Sequence, residues 1–191
     1  ITWEGATGKV GKKMVAKLDP TNPVVGSQTD AKLMTPLDTK VAAYNKGMWA
    51  RGHLLNHDLG GFGVPDNLYP ISSGANAHHA QAVEYPVKKG LSAANTNRNT
   101  GKADEGVNIF YQVEVKGTPS HSQFHCSWNY ADTDFSAIGP KKVSIIESKL
   151  NDSKNSDIEE PYFSARGRPE SLPTWHHGTR VGTMDGAEGF N

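Results

Sequence analysis

The sequence predicts an α+β domain: a mainly antiparallel sheet with one main helix packed on it. Three observations carry that expectation. Four segments read as strands: Val10–Leu18, Val107–Val115, Phe124–Tyr130 and Val143–Ile146. One segment, Ser72–Lys89, reads as a helix; Ser72 or Ser73 can cap it, and Ala75, Ala77, Ala80 and Ala82 favour it. The remaining chain is interrupted by 20 Gly and 11 Pro, too many for a helical bundle. A length of 191 residues suits one domain with a real core, expected over 1–191.

Taken in order, residues 1–46 are expected to be β-rich. In Val10–Leu18 the apolar Val10, Met14, Ala16 and Leu18 roughly alternate with Lys9, Lys13 and Lys17, as on a half-buried strand. DPTNP at 19–23 is a turn, and Val41–Tyr44 is a short strand or a helical turn. From Gly47 to Pro65 a strand leads into a long loop punctuated by Gly60, Gly61 and Gly63. These glycines do not follow a strand and open a helix in the P-loop manner, so they read as a tight turn. Pro86 should break or kink the helix near its end. Ala93–Glu105 is polar and turn-rich, and is expected to be an exposed loop. Asn151–Glu160 reads as a mostly acidic surface excursion. Beyond Phe163, Arg166, Arg168, Trp175, His176, His177 and Arg180 form a basic, aromatic tail. That tail is either a stacking and phosphate-binding surface or an irregular solvated terminus.

Lys plus Arg and Asp plus Glu each total 20, so the formal net charge is zero. A nucleic-acid binder usually carries a basic excess, so any such contact here must come from local patches. Lys9, Lys12, Lys13 and Lys17 are one candidate, as a backbone-tracking groove or simply a solvated strand face. Cys126 is the only cysteine; no internal disulfide can form, and it reads as a small buried hydrophobe. No run of 18 apolar residues predicts a membrane helix. The chain opens on ITWEGATGKVGKK, with neither Met nor an apolar signal region, and is expected to be processed or part of a longer protein.

Groups that can bind a metal or move a proton concentrate between Met48 and Gly90, which holds His53, His57, His78, His79, Asn56, Asn67, Asn76 and Glu84. Phosphodiester cleavage needs an activated water, charge neutralisation at phosphorus and help for the leaving oxygen. A histidine can take the water's proton near neutral pH. A hard divalent ion prefers oxygen ligands, such as an asparagine amide or a carboxylate, and keeps several waters. Arg51-Gly52-His53 ends a predicted strand, Asn67-Leu68-Tyr69-Pro70 follows the Gly-rich loop, and Asn76 opens the helix. Glu84 lies eight residues on, slightly over two helical turns, with Lys88 one turn further.

The ordered set RGH, NLYP, then Asn with Glu eight residues later resembles the DNA/RNA non-specific endonuclease family with the ββα-metal finger. The wording RGHLLNHDLGGFGVPDNLYPISSGANAHHAQAVE is most similar to nuclease domains of bacterial polymorphic and contact-delivered toxins. The resemblance covers roughly residues 48–90 and implies a ββα-metal core at about 47–90. It implies that His53 is the general base and that Asn76 is the direct protein ligand of one Mg²⁺, with Mn²⁺ as a substitute. Glu84 would reach the ion through water, Arg51 would contact phosphate, and Lys88 would replace an arginine that stabilises the transition state. Asn67 would fix the loop near the base, and His79, three residues after Asn76, is a further candidate ligand. The family often has Asp before the triplet, where this chain has Ala50. The Nδ1 of His53 is therefore expected to donate to a backbone carbonyl, which would set its tautomer.

The expected function is Mg²⁺-dependent, non-specific cleavage of DNA, with RNA as a second candidate substrate. The resemblance also implies a toxin domain that is secreted or delivered into a target cell and is countered by a cognate immunity protein. Two rivals stand beside this reading. One is a nucleic-acid- or protein-binding module without catalysis, which the zero net charge favours. The other is a zinc hydrolase using His53, His57, His78 and His79, although their spacing matches no recognised zinc pattern.

Overall fold

The computed structural model describes residues 1–22, 24–30, 34–46 and 48–150, together with the backbone of one strand, Val181–Met184. The fold is α+β. Its largest layer is a five-stranded, wholly antiparallel sheet in the order β8-β7-β6-β3-β9. These strands are β3 (Lys13–Leu18), β6 (Asn108–Thr118), β7 (His121–Ala131), β8 (Ala137–Lys149) and β9 (Val181–Met184). Period-two alternation makes the sheet. Met14, Ala16 and Leu18 of β3 face the core with Ile109, Tyr111, Val113 and Val115 of β6 and Phe124, Cys126 and Trp128 of β7. Lys13 and Lys17 alternate with them on β3. The strands predicted at Val107–Val115, Phe124–Tyr130 and Val143–Ile146 are present and longer than predicted, because β-pairing extends them past their apolar centres.

The N-terminal region is less β-rich than its sequence suggests. Only β1 (Thr2–Trp3), β2 (Ala6–Thr7) and β3 are strands there, and Val41–Tyr44 belongs to helix α1 (Leu37–Asn45). Leu37 and Val41, one turn apart, are both buried and dock α1 on the core. The Asp19 carboxylate accepts from the Thr21 amide and hydroxyl, closing the turn predicted there.

The second layer is a strand–loop–strand–helix unit. β4 (Trp49–His53) pairs antiparallel with β5 (Leu68–Ser72), with Gly52 opposite Tyr69 and His53 opposite Leu68. Ser72 then caps a helical run by accepting from the Ala75 amide. This run continues from α2 (Ser73–His79) through a π turn (Ala80–Glu84) into α3 (Tyr85–Asn99). Gly90 lets α3 lie close on the sheet: a Cβ there would fall 2.7 Å from the Ile109 Cδ1. The Tyr111 hydroxyl donates to the Leu54 carbonyl at 2.8 Å, tying the sheet to the end of β4.

Two expectations about this run need adjustment. Of the break or kink expected at Pro86, the break does not occur. The π turn precedes the proline, which falls in the first turn of α3, where a missing N–H costs little. The exposed loop expected from Ala93 is helix as far as Asn99. Leu91 and Ala94 are buried on the core side, while the polar residues find partners. The Thr96 hydroxyl bonds the Ser92 carbonyl, Asn97 donates to the Gly106 carbonyl and Arg98 donates to Asn108. Asn151–Glu160 and the tail residues Arg166, Arg168, Trp175, His176, His177 and Arg180 lie outside the described residues.

Candidate functional site

The loop between β4 and β5 is held by side-chain-to-backbone bonds. Asn67 is completely buried; its Oδ1 accepts from the Leu55 amide, and its Nδ2 donates to the Leu55 and Phe62 carbonyls, all at 2.9 Å. These bonds replace the strand ladder where the chain leaves β4 and re-enters β5. Close backbone approach makes this a glycine loop. A Cβ on Gly61 would sit 1.7 Å from the Leu55 oxygen, and Gly60 has φ +90°.

His53 ends β4 half-buried. Its Nε2 donates to the Ser27 carbonyl at 3.1 Å. The ring nitrogen fixed by a carbonyl is therefore Nε2, not the expected Nδ1, because the segment carrying Ser27 passes on the Nε2 side. No hydrogen-bond partner among the described residues reaches Nδ1. Burial is the main influence on the ring and pushes its pKa below the usual histidine value, with the Ser27 carbonyl acting in the opposite sense. The neutral imidazole, with Nδ1 as a free acceptor, is thus the favoured form near pH 7.

Asn76 packs against the end of β4. A Cβ on Gly52 would lie 3.4 Å from the Asn76 Oδ1, so the amide oxygen rests against the residue preceding His53. Among the described residues no hydrogen-bond partner reaches the half-buried Asn76 side chain. The Glu84 carboxylate is held at both oxygens: Asn56 donates to Oε2 at 2.7 Å, and the His79 Nδ1 lies 3.2 Å from Oε1. Five residues separate His79 from Glu84, the spacing that a π turn places in register. An α-helix turns roughly 100° per residue, so eight residues would overshoot two turns by roughly 80°. The wider π turn between Asn76 and Glu84 reduces that overshoot and brings the two closer to one line.

His79 lies buried behind Glu84, with its ring 6.3 Å from that of Phe124. Burial favours its neutral form, but the Cys126 sulfur and the Glu84 carboxylate outweigh it and raise its pKa to about 10. The sulfur sends its own S–H toward the Phe124 carbonyl, so Glu84 is the partner that geometry supports. Cys126 is buried, as its sequence context implied.

Arg51, Lys88 and Lys9 each have a carboxylate partner. Arg51 donates from Nε to the Asp38 Oδ2 at 2.8 Å and stacks on Trp49 at 5.2 Å. The carboxylate missing at Ala50 is thus replaced by one from α1, but beside Arg51 rather than His53. Burial raises the Asp38 pKa, with Arg51 opposing it. Lys88 is buried and donates to the Asp58 Oδ2 at 2.5 Å. Lys9 pairs with Asp66, and the Lys12 ammonium bonds the Gly117 carbonyl.

Ser27, Asp38, Asn56 and Asp58 were missed in the sequence. Asn56 had one local signal, an Asx turn in which its Oδ1 accepts from the Asp58 amide. Its bond to Glu84 spans 28 residues and has no sequence signature. Among the described residues no three His, Cys, Asp or Glu side chains converge in a metal-binding set. His78 is exposed and His79 buried, so the four histidines of the zinc reading do not assemble. Compared with protein-family models, with curated proteins and with solved structures, the chain matches none.

Proposed function

We propose that this chain is a metal-dependent endonuclease of the DNA/RNA non-specific type, cutting phosphodiester bonds in DNA and, as a second substrate, RNA. One observation carries the reading: His53 closes β4 with its Nδ1 unpartnered among the described residues, and the Asn76 amide oxygen, likewise unpartnered there, lies against Gly52, the residue before it. His53 takes a proton from water at Nδ1, the water oxygen attacks phosphorus, and the bond to the leaving oxygen breaks. Nε2 stays on the Ser27 carbonyl, so the ring keeps its orientation during transfer. Arg51, anchored by Asp38, would contact the phosphate, and Asn67 would fix the loop that follows the base.

The donor set fits Mg²⁺ better than zinc, since it offers oxygen and, among the described residues, no clustered imidazole or thiolate. Asn76 would hold Mg²⁺ directly, with Glu84 contacting it through water and Mn²⁺ able to substitute. When bound, the ion neutralises charge on the phosphate. None of these contacts identifies a base, so low sequence specificity follows. A toxin setting, with delivery into a target cell and a cognate immunity protein, fits the same reading and rests on the sequence resemblance alone. Plasmid degradation tests the activity. Cleavage with Mg²⁺ that is abolished by EDTA is expected; cleavage that survives EDTA would reject the metal requirement, and binding without cleavage would favour a non-catalytic module.

A further inference from the structure

The mechanism above leaves the departing oxygen without a proton, and a second histidine stands beside the first. His57 follows β4 in a 3₁₀ turn (His57–Leu59), with its ring centroid 6.0 Å from that of His53 and the planes tilted by 49°. Its backbone carbonyl accepts from the Gly26 and Gly60 amides, which fixes the turn from both sides. The His57 Nε2 lies 3.0 Å from the Asp58 Oδ1, and the other oxygen of Asp58 takes the Lys88 ammonium. The Gln28 Nε2 is 3.0 Å from the same nitrogen; with the amide turned end for end, its oxygen accepts the Nε2 proton of a charged ring. Asp58 thus stands between Lys88 and His57, hydrogen-bonded to the Lys88 ammonium and within ion-pair distance of the His57 Nε2, and the outer ring nitrogen, Nδ1, has no partner among the described residues. The His57 side chain is 35% exposed, enough to meet a substrate.

We infer that His57 is the general acid of the reaction, with the Asp58 carboxylate beside its Nε2, delivering a proton from Nδ1 to the departing oxygen. The inference rests on the endonuclease reading and extends it. In-line displacement puts the attacking and leaving oxygens on opposite sides of phosphorus, so base and acid must flank one phosphate. His53 gains the proton lost by water while the oxygen–phosphorus bond forms; His57 loses one to the leaving oxygen while the other bond breaks. Exchange with solvent then restores both rings. The two environments differ: the His53 Nε2 bonds a backbone carbonyl, whereas the His57 Nε2 lies beside the Asp58 carboxylate. Lys88 then acts through Asp58, as a positioning residue.

Leaving-group dependence separates this role from a structural one. The substrates are plasmid DNA, whose leaving alkoxide needs a proton, and bis(p-nitrophenyl) phosphate, whose nitrophenolate does not. His57→Gln keeps a hydrogen-bonding side chain, and an unchanged unfolding midpoint shows that the loop is intact. Its DNA cleavage should fall about 100-fold or more, and cleavage of the nitrophenyl ester by less than about 10-fold. His53→Ala should lose both. An equal fall on the two substrates, or no fall on DNA, overturns the general-acid role while active unsubstituted protein leaves the endonuclease reading standing. Absence of DNA cleavage by the unsubstituted protein overturns both.

Discussion

In the five-stranded sheet the backbone is held by a ladder and by apolar side chains: Met14, Tyr111, Val113, Phe124 and Cys126 are all nearly inaccessible. Between β4 and β5 the backbone is held by one buried amide, Asn67, and by glycines that let carbonyls approach. The difference teaches where each kind of order is useful. A sheet built on apolar area tolerates polar neighbours on its outer face but offers no directed groups to a substrate. A loop built on hydrogen bonds fixes the direction of each side chain, which a catalytic base requires.

Substitutions can break this contrast, and the largest effect belongs to the sheet. Phe124→Ala should lower stability by about 3–5 kcal/mol, because Phe124 fills the core against Tyr69 and His79. Urea unfolding measures it, and a loss below about 1 kcal/mol would deny the sheet its apolar basis. Asn67→Ala comes next, at about 2–3 kcal/mol, since it strands the buried amide and carbonyl groups it satisfies. Unlike Phe124→Ala, it should also lower DNA cleavage per folded molecule, by displacing the loop behind His53. A smaller effect sharpens the assignment of the base. Because burial holds the His53 pKa below its usual value, the neutral, proton-accepting form survives at lower pH than for an ordinary histidine. The acid limb of the pH–rate profile should therefore fall below about pH 6.5. A limb at or above that value would assign it to another group.

The same contrast explains what could be read from the chain alone. Alternation marked β3 and β6 because each buried side chain there follows a two-residue period. The triplet Arg51-Gly52-His53, Asn67, Asn76 and Glu84 stood out by type and order, and the fold brings them into one strand–loop–strand–helix unit. From the sequence the helix is expected to end at Lys89 and a loop to begin at Ala93 because Asn97, Arg98 and Thr96 are polar; their partners, Gly106, Asn108 and Ser92, give tertiary and local bonds that composition does not display. The roles of Asp38 and Asn56 could not be read for a related reason. Each acts through a long-range bond, to Arg51 and to Glu84 respectively, and a pairing of distant positions leaves no periodic trace.

Everything proposed for the site depends on a neutral imidazole at His53 with Nδ1 open to water. The most direct test is single-turnover plasmid cleavage in Mg²⁺ by the unsubstituted protein and by His53→Ala, with the unfolding midpoint of each recorded. A loss of about 10²–10⁴-fold with little change in midpoint is expected for removal of a general base. Cleavage undiminished in a folded His53→Ala protein would contradict the account.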